Sequence, residues 1–172
     1  QVKDTTIKLS FWRIEPDFTY NIYPKSKKLY RISPGIYYNM YTDSVFRPND
    51  LMVRLFTEFE FYNTSTINFY YTEYYTSLLF PIDVTGSTLQ PLPAGPYNYR
   101  DAVVYYVSDA RKRFTYFAQL SFGSFFNGTK LSYTLSLNYR IQPFANIGIN
   151  FTRNEIWLPE PYGEAHLMLI SP

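Results

Sequence analysis

Between residues 7 and 23 apolar and polar side chains alternate almost without a break. Trp12, Ile14, Phe18, Tyr20 and Ile22 share one parity, while Arg13, Glu15, Asp17, Thr19 and Asn21 share the other. Successive side chains of a β-strand point to opposite faces, so this period of two predicts a strand with one apolar and one charged face. The pattern recurs at 130–141, where Leu131, Tyr133, Leu135, Leu137, Tyr139 and Ile141 alternate with Lys130, Ser132, Thr134, Ser136, Asn138 and Arg140. It returns at 146–154, with Ile147, Ile149 and Phe151 against Asn146, Gly148, Asn150 and Thr152. Strands with aromatic residues on both faces are predicted at 30–42, 51–62, 66–80, 97–108 and 114–126, and a short one at 165–171. No segment of ten or more residues prefers the helical period, so the expected class is all-β with nine strands.

In an up-and-down meander, the short connections 24–28, 62–65, 108–113 and 142–145 fall at one end. The opposite end receives 43–50, the Pro- and Gly-bearing stretch 81–96, and 158–164, together with a tight turn expected at Asn127-Gly128. Short turns at one end and long loops at the other are the asymmetry of bacterial outer-membrane barrels, whose short end is periplasmic.

Alternation alone does not say which solvent the apolar face meets. Three features favour lipid. Several predicted strands exceed the usual globular length of about 5 to 6 residues and suffice for a tilted crossing, which needs roughly 9 to 11. Trp12, Tyr20, Tyr23, Tyr62, Tyr97, Tyr99 and Trp157 crowd near strand ends, where amphipathic rings suit the level of lipid headgroups. Charges stand in mid-strand on the polar parity, and they need water or partners. The expected lumen-lining set is Arg13, Glu15, Asp17, Arg54, Glu58, Glu60, Lys130 and Arg140.

Composition narrows the chemistry. The 172 residues carry 21% aromatic and 17% charged side chains, which excludes disorder, and the net charge of +2 gives no footprint for nucleic acid. The absence of cysteine removes disulfides, thiolate metal sites and cysteine nucleophiles together. No apolar run is long enough for a transmembrane helix. No signal-peptide pattern opens the chain, which fits a mature or trimmed sequence.

The stretches Ser10-Phe11-Trp12-Arg13-Ile14-Glu15-Pro16, Asn127-Gly128, Leu137-Asn138-Tyr139-Arg140-Ile141-Gln142-Pro143 and Leu158-Pro159-Glu160-Pro161-Tyr162-Gly163 carry a resemblance. Through them the chain resembles the C-terminal barrel region of an uncharacterised family of Bacteroidota outer-membrane proteins. That family usually carries an N-terminal domain similar to family 9 carbohydrate-binding modules. The resemblance implies an outer-membrane barrel and an association with glycans through that domain. None of the 172 residues matches the sugar-binding domain, so no ligand-binding residues carry over. Family members continue with further strands where this sequence reaches Ser171-Pro172, and nine is odd where bacterial single-chain barrels are even. A fragment of a larger barrel is therefore expected.

Candidate catalytic devices are few. His166 is the only histidine, so any serine hydrolase triad would have to use it, with Glu160 or Glu164 orienting the ring. A rim histidine at a strand start is the simpler expectation. Glu15/Asp17 and Glu58/Glu60 are carboxylate pairs two residues apart on one strand face, a spacing a glycosidase would accept. Interleaved Arg13 and Arg54 point instead to a lumenal ion-pair network. The cluster Asp109-Ala110-Arg111-Lys112-Arg113 reads as a solvated turn.

The sequence thus predicts one domain, residues 1–172, forming part of an antiparallel up-and-down transmembrane β-barrel of about nine strands in a Gram-negative outer membrane. The expected role is non-enzymatic, without cofactor or metal: an anchor or conduit associated with glycan binding or uptake. One alternative is an accessory barrel subunit that packs against other outer-membrane proteins in a secretion or uptake complex. The other is an outer-membrane hydrolase built on His166.

Overall fold

The computed structural model describes residues 11–86 and 90–172. The predicted strand positions 7–10, including Ser10 of the first motif, lie outside the described residues. Ten strands form one antiparallel sheet, and there is no helix among the described residues. They are β1 (Trp12–Ile14), β2 (Asp17–Thr19), β3 (Leu29–Thr42), β4 (Pro48–Phe61), β5 (Thr66–Leu78), β6 (Gly95–Val107), β7 (Phe114–Phe125), β8 (Gly128–Ile141), β9 (Ala145–Trp157) and β10 (Glu164–Ser171). From β3 onward each strand pairs with its sequence neighbours, and β1 and β2 both pair with β3. The sheet is open, because no pairing joins β10 to β1 among the described residues.

The extra strand comes from proline rather than from a change of path. Trp12↔Thr42, Ile14↔Met40, Phe18↔Ile36 and the bridge Ile22↔Ile32 all obey one register, so β1 and β2 occupy a single lane. Ile22 and Ile32 exchange both backbone hydrogen bonds at 2.9 Å. At the Pro16–Tyr38 and Pro34–Tyr20 positions only one bond forms, from Tyr38 N–H to Pro16 O and from Tyr20 N–H to Pro34 O, because proline has no N–H to return. Two prolines thus interrupt one edge strand at two places. Over the described residues the predicted single strand keeps one continuous register with β3 and is broken in bonding.

The predicted Asn127-Gly128 turn is displaced by one residue. Phe125 pairs with Gly128, which leaves Phe126 and Asn127 as the loop. Phe126 adopts φ 52°, a left-handed conformation costing roughly 1 to 2 kcal/mol for an L-residue. Its ring packs 4.9 Å from Phe125, 5.1 Å from Tyr99 and 5.3 Å from Tyr97, contacts that oppose that cost. Gly128 serves a close approach instead, since a Cβ there would overlap the Trp157 carbonyl and lie 2.8 Å from Leu158 Cα.

The loop asymmetry is smaller than expected. Residues 48–50 join β4 and residues 95–96 join β6, so at the loop end only 79–94 is long, beside 43–47, 126–127 and 158–163. Within that long loop Ile82 and Leu92 exchange backbone bonds at 3.0 and 2.9 Å, and Leu92 is buried. Thr85 Oγ1 donates to Tyr162 O at 3.4 Å, tying the loop after β5 to the loop after β9. A flat sheet would hold those loops apart across the intervening strands, so the sheet is curved.

Gly123 marks a second close contact between strands. A Cβ there would overlap the Arg100 carbonyl and come within 2.6 Å of Asp101 Cα, both backbone. Gly123→Ala is expected to cost about 1–3 kcal/mol, as overpacking does. It should lower the thermal unfolding midpoint followed by far-UV circular dichroism. Gly148→Ala, whose Cβ would have Leu137 O at 3.7 Å as its nearest neighbour, should leave the midpoint unchanged or raise it.

Candidate functional site

Directly paired residues of a sheet share a face, so the registers assign every strand residue to one of two surfaces. One surface carries Ile36, Leu55, Phe69, Leu120, Leu135 and Ile149, and the other carries Arg13, Arg54, Asn68, Thr72, Ser132 and Thr134. Among the described residues no second layer covers either surface, because the substantial strand–strand contacts are all between ladder neighbours. Yet the apolar surface is the open one. Leu55 is 51% exposed, Phe122 52% and Ile147 60%, whereas Asn68 is 2% exposed and Thr72 1%. Buried polar and exposed apolar residues invert the order of a globular core. The polar face is therefore the concave side, where neighbouring side chains shield one another.

All eight expected lumen residues fall on this concave face: Arg13, Glu15, Asp17, Arg54, Glu58, Glu60, Lys130 and Arg140. Their pairing differs in detail from the expectation. Arg13 contacts Glu15 at 2.7 Å, donates to Asn39 Oδ1 at 3.2 Å and lies over the Tyr41 ring, while Tyr37 donates its hydroxyl proton to Glu15. Asp17 stands exposed opposite Tyr37. The cation between Glu58 and Glu60 is Arg31, at 2.8 and 3.0 Å, and not Arg54. Arg54 instead donates to Thr72 Oγ1 at 3.2 Å and lies over the Tyr70 ring. Arg31 escaped the sequence reading because its partners are non-local and a bulge at Leu29/Arg31 shifts the local register.

Arg140 has a structural task at the turn end. It donates to the carbonyls of Ala110 and Lys112, so it braces the 108–113 turn. That turn is less free than its basic composition implied. Asp109 is buried, and it accepts from Arg111 through both carboxylate oxygens, from the Arg111 N–H at 2.9 Å and from Thr64 Oγ1 at 3.1 Å. These bonds, with the Arg111 guanidinium first, hold the Asp109 carboxyl well below the usual carboxylate range.

Aromatic rings line the same concave face on both sides of its middle. Tyr70 and Tyr105 stack at 5.6 Å with their hydroxyls 2.9 Å apart, and Tyr74 stacks on Tyr99 at 4.9 Å. Of the expected interface set, Tyr97 and Tyr99 lie by register on the polar surface with Asp101. Tyr97 donates to Pro93 O at 2.9 Å. Trp12, Tyr20 and Trp157 do lie on the apolar surface, and exposed Tyr23 and Tyr62 flank Tyr30 in the first turns. A recess of about 200 Å³ on the concave side is lined by Tyr74, Tyr99, Asp101, Ser121 and Lys130 among others.

The apolar surface carries charge only toward the loop end. Glu73 pairs across to Arg100, Arg153 forms an ion pair with Glu155, and Glu164 and His166 follow on β10. The ladder row through Ala102, Phe122 and Leu131 reaches Glu155. Arg100 lies two residues to the loop side of that row and Arg153 two residues to the turn side. Between β6 and β9 the apolar boundary is therefore oblique to the ladder by four residues over three inter-strand steps, and on β10 it steps back to His166, level with Glu155.

His166 Nε2 is 3.6 Å from Glu164 Oε1, and its ring meets Trp157 edge to face at 6.1 Å. Glu155 stands opposite on β9. None of these groups is the serine hydroxyl that a triad built on His166 would use. No group of three His, Cys, Asp or Glu side chains among the described residues is arranged to hold a metal ion. No family model, curated protein or solved structure matches this chain.

The depressed Asp109 carboxyl sets a pH dependence for the turn. A lowered folded pKa stabilises above the unfolded value of 3.8 and is lost as pH falls through the folded value. Amide exchange at 108–113 is therefore expected to stay slow from neutral pH down to the ordinary carboxylate range and to accelerate only in stronger acid. Asp109→Asn should make those amides exchange fast already at pH 7.

Proposed function

We propose that this sheet is part of the wall of a bacterial outer-membrane β-barrel, its apolar face toward lipid and its polar face toward a hydrated lumen. The observation that carries the reading is the inversion of the two faces, with large hydrophobics exposed and most of the buried side chains polar. In water such an apolar surface would be an aggregation liability, whereas in a bilayer it meets its preferred solvent.

Two further observations support it. The oblique boundary between apolar and charged outer residues is what strands tilted against a bilayer require. Buried side-chain atoms without a protein partner, at Arg31, Asn68, Asp101, Ser132 and Asn138, all belong to the polar face, where water satisfies them.

On this reading the protein is a non-enzymatic anchor or conduit. Its association with glycans rests on the resemblance to Bacteroidota barrel proteins with a carbohydrate-binding-like domain. Arg31, Arg54, Glu58, Glu60, Asp101 and Lys130 set the charge of the lumen on this reading.

The full-length protein should migrate faster on gels before boiling than after, and it should conduct ions in a planar bilayer. Addition of oligosaccharides should reduce the current. A folded barrel without current would make the protein an anchor and remove the conduit.

A further inference from the structure

The two free edges of the sheet run in the same direction. The path β1-β3-β4-β5-β6-β7-β8-β9-β10 contains eight pairings, and every one is antiparallel. An even number of reversals returns the original direction, so β10 is parallel to β1. Direct closure would need a parallel seam. Two copies in the same membrane orientation would face the same obstacle at each seam, since a rotation about the bilayer normal does not reverse a strand. Edges left open in hydrocarbon are excluded by the cost of unpaired backbone groups.

Both edges are built to accept a strand. Even-numbered residues of the first lane bond inward to β3, so Pro16 spends its missing N–H on that side. Odd-numbered residues 11–21 present their N–H and C=O groups outward, and no proline is among them. On the other edge, β10 has no proline within Glu164–Ser171.

The side chains of β10 also describe what lies beside it. Leu167 and Leu169 occupy the concave face, at positions where β8 and β9 place Ser132, Thr134, Asn154 and Thr152. Both leucines are exposed, 58% and 65%. Among the described strand residues the other exposed large hydrophobic on that face is Val107, at 36%. In the two ladder rows of Leu167 and Leu169 the concave surface is therefore polar on β8 and β9 and apolar at β10.

We propose that the barrel is completed by a separate β-segment with an odd number of antiparallel strands, inserted between β10 and β1, whose lumenal side chains are apolar beside β10. Beside the first lane, the lumenal side chains of that segment are polar and meet Arg13, Glu15 and Asp17. The proposal rests on the barrel reading and adds the parity and chemistry of the missing wall. A second copy of residues 1–172 is not the occupant.

The test attaches a benzophenone to single cysteines, Thr19→Cys at one edge and Leu169→Cys at the other, in the full-length protein in its native membrane. After irradiation, the cross-linked peptides are sequenced by mass spectrometry. The expected result is that both probes reach β-strand peptides outside residues 1–172 and that the segment joining the two targets contains an odd number of strands. A cross-link from Thr19 to β10 of the same chain, cross-links between two copies, or lipid adducts alone would each overturn the proposal. Heat-modifiable mobility of the same samples separates the two failures: its loss removes the barrel reading, and its retention with any of those products removes only the odd-stranded complement.

Discussion

Register is the constraint on which everything else in this molecule depends. A slip of one residue in any ladder would carry a whole strand's apolar set to the opposite face. From the first lane to β9 the polar parity never changes sides, although the chain reverses direction at every turn. The irregularities within ladders sit near strand ends, at Leu29/Arg31 and Tyr41/Thr42, where a bulge redirects few side chains. Backbone bonding thereby holds two incompatible surfaces apart across a single layer of protein.

That single layer explains why so little of the molecule looks like a core. Leu92, Ile156 and Ala165 are the buried hydrophobics among the described residues, and the buried polar residues outnumber them. Cohesion comes instead from the ladders, from cross-strand aromatic pairs such as Tyr74–Tyr99, and from ion pairs on the concave side such as Arg31 with Glu58 and Glu60. On the proposed reading the ladder bonds are the interactions whose strength rises, because the lipid side offers the backbone no competing water.

Much of this was legible in the sequence, and the misses have physical causes. β8 reads directly, because one parity is wholly apolar and the other wholly polar from Lys130 to Ile141. The eight lumen candidates share a face for the same reason. In β6 the parity signal fails: Tyr97, Tyr99 and Tyr105 point to the concave side while Tyr106 points outward, and residue type alone does not separate them. The Asn127-Gly128 signal located a hairpin but not its centre, because the glycine answers to the backbone of a third strand. Arg31 and the Asp109–Arg111–Thr64 anchor depend on contacts between distant parts of the chain, which local pattern does not encode.

The central claim is that odd and even residues of one strand meet different solvents. The chain has no cysteine, so each one introduced is unique. Leu135→Cys and Ser136→Cys, adjacent on β8, can be labelled in the membrane with a charged thiol reagent and with a lipid-soluble one. The account predicts that Ser136→Cys reacts with the charged reagent and Leu135→Cys only with the lipid-soluble one. Equal reaction of both with the charged reagent, or the reverse order, would contradict it.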